Sequence, residues 1–157
     1  IAAESVVRTS ARLFDLPTTI ARFSVPYGDN GGWPWYHLMM MNADAPIPVH
    51  VDGPSYYNLI HEDDYVGMLP GMLANASVPS TTLNWGGSEA TSIEEWCAYL
   101  AELTGLEAKL SPTENTLRGI QLDPTRMHEC VGPTQVNWKE GLRRMVSARN
   151  PELLKAN

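Results

Sequence analysis

Thr18-Thr19-Ile20-Ala21-Arg22-Phe23-Ser24-Val25-Pro26-Tyr27-Gly28 starts β-branched and mostly apolar, then turns to proline, aromatic and glycine. Residues 18–25 have the composition of a buried strand. From Pro26 to Pro34, punctuation by Gly28, Gly31 and Gly32 predicts a loop. On the upstream side, Ala2, Ala3, Val6, Val7, Ser10, Leu13 and Phe14 recur at helical spacing. Residues 1–14 are therefore predicted to be an amphipathic helix with a small, apolar face, stopped by Asp15-Leu16-Pro17.

Downstream, strand-like and helix-like runs alternate. Residues 36–41 read as a helical turn, and residues 47–51 and 59–60 as short strands. Asp63 or Asp64 is the expected cap of a helix carrying Val66, Leu69, Met72 and Leu73. Pro70 conflicts with that helix and predicts a kink or a late start. Thr81–Trp85 reads as a strand ended by Gly86-Gly87. Ser92-Ile93-Glu94-Glu95 is a capping box, opening a helix that ends near Gly105. Residues 108–110 and 119–122 are expected strands. Asp123-Pro124 opens a short helix. Asn137 or its neighbour opens the last one, with Gly141, Leu142, Met145 and Val146 inward. This alternation gives an α/β fold class.

The 157 residues suit one domain, and 43% hydrophobic with 18% charged content is that of an ordinary globular chain. A net charge of −7 argues against nucleic acid and against anionic membranes, both of which need a basic surface. No apolar run approaches a membrane span and no signal-peptide pattern opens the chain, so the expected location is cytoplasmic. Cys97 shares a helical stripe with Ile93, Trp96, Leu100 and Leu103, and Cys130 has no metal-ligand spacing; two free thiols are expected. Asn75-Ala76-Ser77 is read as a chance match to a glycosylation site.

Gly31-Gly32-Trp33-Pro34-Trp35-Tyr36-His37 is the most distinctive run. Its glycines let backbone approach a ligand, and its rings offer flat faces to a small body. In an extended segment Trp33 and Trp35 face opposite ways, one toward ligand and one toward core. His61-Glu62-Asp63-Asp64 and His50-Val51-Asp52 look like metal ligands, but successive strand side chains alternate in direction and cannot all converge; no metal site is expected. Met39-Met40-Met41 is read as core filler.

Four segments, in order, resemble the C-terminal half of the NAD-dependent epimerase/dehydratase family, the extended short-chain dehydrogenases. They are residues 20–28, Tyr57-Asn58-Leu59-Ile60-His61-Glu62-Asp63-Asp64, Leu83-Asn84-Trp85-Gly86-Gly87, and Trp138-Lys139-Glu140-Gly141-Leu142-Arg143. Glu4 fits the Glu that commonly follows the family's Tyr-x-x-x-Lys by four residues, which places that Lys just before Ile1. The resemblance implies part of a Rossmann-type NAD(P)-binding fold plus a small mixed α/β substrate domain. Residues 1–28 and 59–87 would complete the nucleotide-binding domain, and 29–58 and 88–157 the substrate subdomain. The phosphate loop and catalytic Tyr and Lys would lie upstream, so no catalytic residue is expected here and the chain alone would not transfer hydride.

By the same resemblance, Phe23, Ser24 and Val25 approach the nicotinamide of NAD or NADP. Tyr27, Trp33, Trp35 and Tyr57 would meet a small, sugar-like substrate. Nucleotide-sugar members often carry Asn at the place of Val25 and Arg-Asp at that of Tyr57-Asn58. Both changes weaken phosphate recognition, with Arg118 as a candidate replacement cation. A homodimer through the first helix is also implied. Two other readings stand beside this one: a non-catalytic dinucleotide or metabolite sensor, and a carbohydrate-binding domain built on Trp33 and Trp35.

Overall fold

The computed structural model describes residues 2–155. The expected strand is broken at Ser24 into β1 (Thr19–Phe23) and β2 (Val25–Gly28), and the two halves join different partners. β1 runs parallel to β7 (Thr81–Trp85), and β2 runs parallel to β6 (Leu59–His61). Ser24 marks the handover: its N–H still donates to the Trp85 carbonyl at 2.8 Å. On its other edge β2 pairs antiparallel with β3 (Gly31–Gly32). That hairpin needs glycine at Gly32, where φ is +122° and a Cβ would stand 2.6 Å from the Pro26 carbonyl oxygen.

Two apolar cores result. Leu59 and Ile60, adjacent on β6, point to opposite faces and into different ones. Ile60 joins Leu83, Met68 and Met72, with Met127 of α5 (Thr125–Val131) beside them. Leu59 joins Val25 and Tyr27, against α2 (Trp33–Asn42), α4 (Ile93–Thr104) and α6 (Trp138–Arg149). Two smaller pairs flank this core: β4 (Ile47–His50) parallel to β9 (Leu110–Thr113), and β5 (Tyr56–Tyr57) antiparallel to β8 (Thr91–Ser92).

Several expected elements form as read. Thr81–Trp85 is a strand, the Ser92/Glu95 capping box is complete, and Gly105 ends α4 in the left-handed region. Asn137 caps α6, whose buried residues are Gly141, Leu142, Met145 and Val146. Cys97 is fully buried and neither cysteine is paired.

Others differ. Residues 33 and 34, expected in the loop, open the first turn of α2; Pro34 suits that turn because its missing N–H has no helical partner there. The helix α3 (Glu62–Ala74) starts early and runs through the exposed Pro70. Its cap is His61, whose Nδ1 accepts from the Asp63 N–H at 3.2 Å, and not Asp63 or Asp64. Residues 119–122 form no strand, and the strand expected at 108–110 lies mostly beyond it, in β9.

The first helix, α1 (Ala2–Leu13), turns its apolar stripe outward: Val6 is 66% and Leu13 73% exposed. The opposite side meets the β1–β7 pair. Arg22 donates twice to the Glu4 carboxylate, at 2.7 and 2.8 Å, Arg8 bonds the Thr82 hydroxyl, and Ala11 is buried. Among the described residues neither β1 nor β7 has a second strand neighbour. Each therefore keeps one edge unpaired, while α1 covers one face of the pair and the Ile60 core the other. No helix among the described residues is long and apolar enough to cross a membrane.

Candidate active-site cleft

A cavity of about 580 Å³ opens at the carboxyl end of β1, where the chain crosses from one core to the other. Ligand clefts in α/β folds form outside such strand ends. One wall is Phe23, Ser24, Val25 and Pro26 at the handover. The second is Gly32, Trp33 and Tyr36, at the hairpin and the start of α2. The third is Tyr57 together with Leu117, Ile120 and Leu122 from an irregular segment.

Aromatic packing fixes the first two walls. Phe23 lies 4.7 Å from Trp85 and 5.4 Å from Tyr65, centroid to centroid. Trp33 meets Tyr57 edge-on at 4.9 Å. Behind Trp33, the fully buried Trp96 donates its indole N–H to Nδ1 of His37 at 2.9 Å. Burial holds His37 down at about 4 and pushes the adjacent Cys97 thiol up to about 12. Both are therefore neutral near pH 7.

The third wall is a strap tied down from beneath. The Tyr57 hydroxyl donates to the carbonyls of Arg118 at 2.9 Å and Leu117 at 3.3 Å. Asn58 accepts from the Leu122 N–H at 2.7 Å and donates to the Gly87 carbonyl at 2.8 Å. Gly119 lets the strap lie flat, since a Cβ there would come 2.5 Å from the Tyr56 nitrogen. Burial, and then the charge of Glu94, raise the Tyr57 hydroxyl above its ordinary value, so it stays a donor.

Of the residues singled out from sequence, Phe23, Ser24, Val25, Trp33 and Tyr57 meet at this cavity. Tyr27, Trp35 and Arg118 do not. Tyr27 is buried, with its ring against His61 and its hydroxyl donating to the Trp138 carbonyl at 3.3 Å. Trp35 donates to Asn150 at 3.0 Å and carries Arg149 over its face at 4.2 Å. It does point away from Trp33, but through helical rather than extended spacing. Arg118 contributes its carbonyl, while its guanidinium reaches outward to Asp52 at 2.6 Å.

The strap's apolar residues and Tyr36 were missed. The signal available for the strap was the apolar trio Leu117, Ile120 and Leu122, the last two of which were read as part of a strand. The His61–Asp64 run is structural: Glu62 accepts from the Asp29 N–H, Asp63 takes Arg144, and Asp64 accepts from the N–H groups of Gln135 and Val136. Among the described residues, no cluster of three His, Cys, Asp or Glu is placed to hold a metal.

No family model and no curated protein matches the sequence. Solved structures do match in fold. The UDP-glucuronic acid 4-epimerase of Bacillus cereus, with UDP-glucuronic acid and NAD, has a TM-score of 0.77 at 19% identity, over 92% of this chain and 49% of that one. The dTDP-glucose 4,6-dehydratase of Bacillus anthracis, with NAD, has 0.76 at 18%, over 97% and 51%. The UDP-glucose 4-epimerase of Thermotoga maritima, with UDP-glucose, has 0.74 at 23%, over 97% and 52%. The chain spans about half the length of these structures and has the fold of that part of a Rossmann-type epimerase or dehydratase.

Proposed function

We propose that this chain is the C-terminal, substrate-holding half of an NAD(P)-dependent epimerase, dehydratase or reductase. The observation that carries the reading is the cavity's place, at the carboxyl end of β1 and between two cores. Residues 1–28 and 59–87 complete the nucleotide-binding part, and 29–58 and 88–157 form the substrate part. Val25, Tyr27 and Leu59 cross this division by pointing into the second core, and Met127 crosses it by joining the first.

The residues present fit the nicotinamide end of a dinucleotide. Phe23 and Val25 give a flat apolar wall, and Ser24 places a hydroxyl between them. When bound, the nicotinamide would exchange hydride with a secondary carbinol of the substrate. Phe23, Ser24 and Val25 would orient its ring and exclude water, and Trp33 and Tyr57 would face the substrate. The outward apolar stripe of α1 would seat a second copy.

The test is dinucleotide binding by the protein and by Val25→Asp. Phe23–Val25 at the nicotinamide predicts that Val25→Asp weakens NAD(H) or NADP(H) binding at least tenfold. Unchanged binding would remove that assignment.

A further inference from the structure

We propose that the cleft takes a neutral, ring-bearing alcohol or ketone with no phosphate group. The inference deepens the dinucleotide-dependent reading above and rests on it for the reaction, not for the binding.

A diphosphate needs cations or several free donors, because a charge taken out of water must be paired there. The cavity supplies no cation and few uncharged donors. Among the described residues, no Lys or Arg side chain lines it. Arg118, the cation expected from the sequence, turns its guanidinium outward to Asp52. The Tyr57 hydroxyl, standing where a phosphate-binding cation would be useful, is spent on the strap carbonyls of Leu117 and Arg118. Tyr57 therefore acts as a positioning residue: it holds Leu117, Ile120 and Leu122 as an apolar wall opposite Trp33.

The polar side-chain groups left to a ligand are the hydroxyls of Ser24 and Tyr36 and the indole N–H of Trp33. Three uncharged groups between apolar walls suit one carbonyl or carbinol on a compact hydrocarbon body. The volume of about 580 Å³ is within the range of small-molecule sites, with part of it given to the nicotinamide.

The experiment is calorimetric titration of the protein with 2-decalone, UDP-glucose and UDP. 2-Decalone is expected to bind at least tenfold more tightly than either nucleotide. Ile120→Asp, on an exposed part of the strap, is expected to weaken 2-decalone at least tenfold while the circular dichroism spectrum is retained. Leu122→Asp is the second variant, with the same expectation. Binding of UDP-glucose or UDP as tight as that of 2-decalone would overturn the proposal. So would failure of 2-decalone to bind, or an Ile120→Asp protein that binds it unchanged. Binding of NADH and NADPH is titrated separately. If 2-decalone binds as expected but neither dinucleotide binds, the dinucleotide-dependent reading fails and the ligand class stands.

Discussion

The Trp96 indole donates to His37 Nδ1 where both rings are shut off from water, stacked 5.7 Å apart and 18° from parallel. Protonating His37 would break that bond and bury a charge. Its pKa is accordingly held down at about 4, against an ordinary 6.5. Between those values the unfolded chain binds a proton that the folded chain refuses, so stability rises with pH across that window. The contribution is whole above pH 6.5 and is lost as pH falls toward 4, by about 3 kcal/mol. His37→Phe should flatten this dependence while costing about 1–3 kcal/mol at pH 7, through the unpaired Trp96 N–H. Urea midpoints of both proteins at pH 7.5 and 4.5 check it; equal pH slopes would count against the argument.

The hairpin that opens the second wall makes a sharper demand. At Gly32 a Cβ would lie 2.6 Å from the Pro26 oxygen and 2.7 Å from Tyr27 Cα, with φ at +122°. Neither atom can move without shifting β2. Gly32→Ala is expected to cost more than about 2 kcal/mol. Gly67→Ala is the control: nothing lies within 4 Å of its Cβ and it sits inside α3, so it should be neutral or slightly stabilising. Thermal melts of the two variants side by side decide the point.

Much of this arrangement was legible in the sequence, and the failures have physical causes. The Ser92/Glu95 box and the Asn137 cap were readable because their bonds span three residues or fewer. The class was readable from the alternation of strand and helix. The break at Ser24 was not, because leaving one sheet for another depends on partners more than thirty residues away. His61 escaped as a cap because capping is normally an oxygen's role, and a ring nitrogen took it. The cleft was half legible. Phe23, Ser24 and Val25 were reached through the family resemblance and Trp33 through its aromatic, Gly-rich run, whereas the strap is set by hydrogen bonds from Tyr57 and Asn58 sixty residues back. The direction of α1's apolar stripe was not legible, because periodicity gives the existence of a face, not which side the Glu4–Arg22 pair ties to the sheet.

Asp64 offers a test of the two-core arrangement itself. From α3 it accepts the N–H of Gln135 at 2.7 Å and of Val136 at 3.1 Å, just ahead of α6. Asp64 is buried, whereas Gln135 is exposed and Val136 half-buried, so water can replace part of what the carboxylate supplies. Asp64→Ala should cost about 1–3 kcal/mol, because two charge-assisted hydrogen bonds are lost and water compensates for them only in part. Asp64→Asn keeps one acceptor oxygen and should cost less than half of that. Hydrogen exchange at Gln135 and Val136 should accelerate in Asp64→Ala ahead of α4; exchange that speeds up everywhere equally would make the loss merely global.

The strap gives the prediction that separates a holding role from a contacting one. Tyr57→Phe deletes a single hydroxyl and keeps the ring that packs on Trp33 at 4.9 Å. Stability should fall by only about 1 kcal/mol, the worth of one partly exposed hydrogen bond. The strap carbonyls of Leu117 and Arg118 would then lose their common donor. Backbone order parameters should therefore fall selectively at Leu117 and Arg118, and Leu122 should stay ordered, because Asn58 still accepts its N–H. Asn58→Ala should reverse the pattern, freeing Leu122 first. A Tyr57→Phe protein with strap order unchanged would mean that the hydroxyl is not what holds that wall in place.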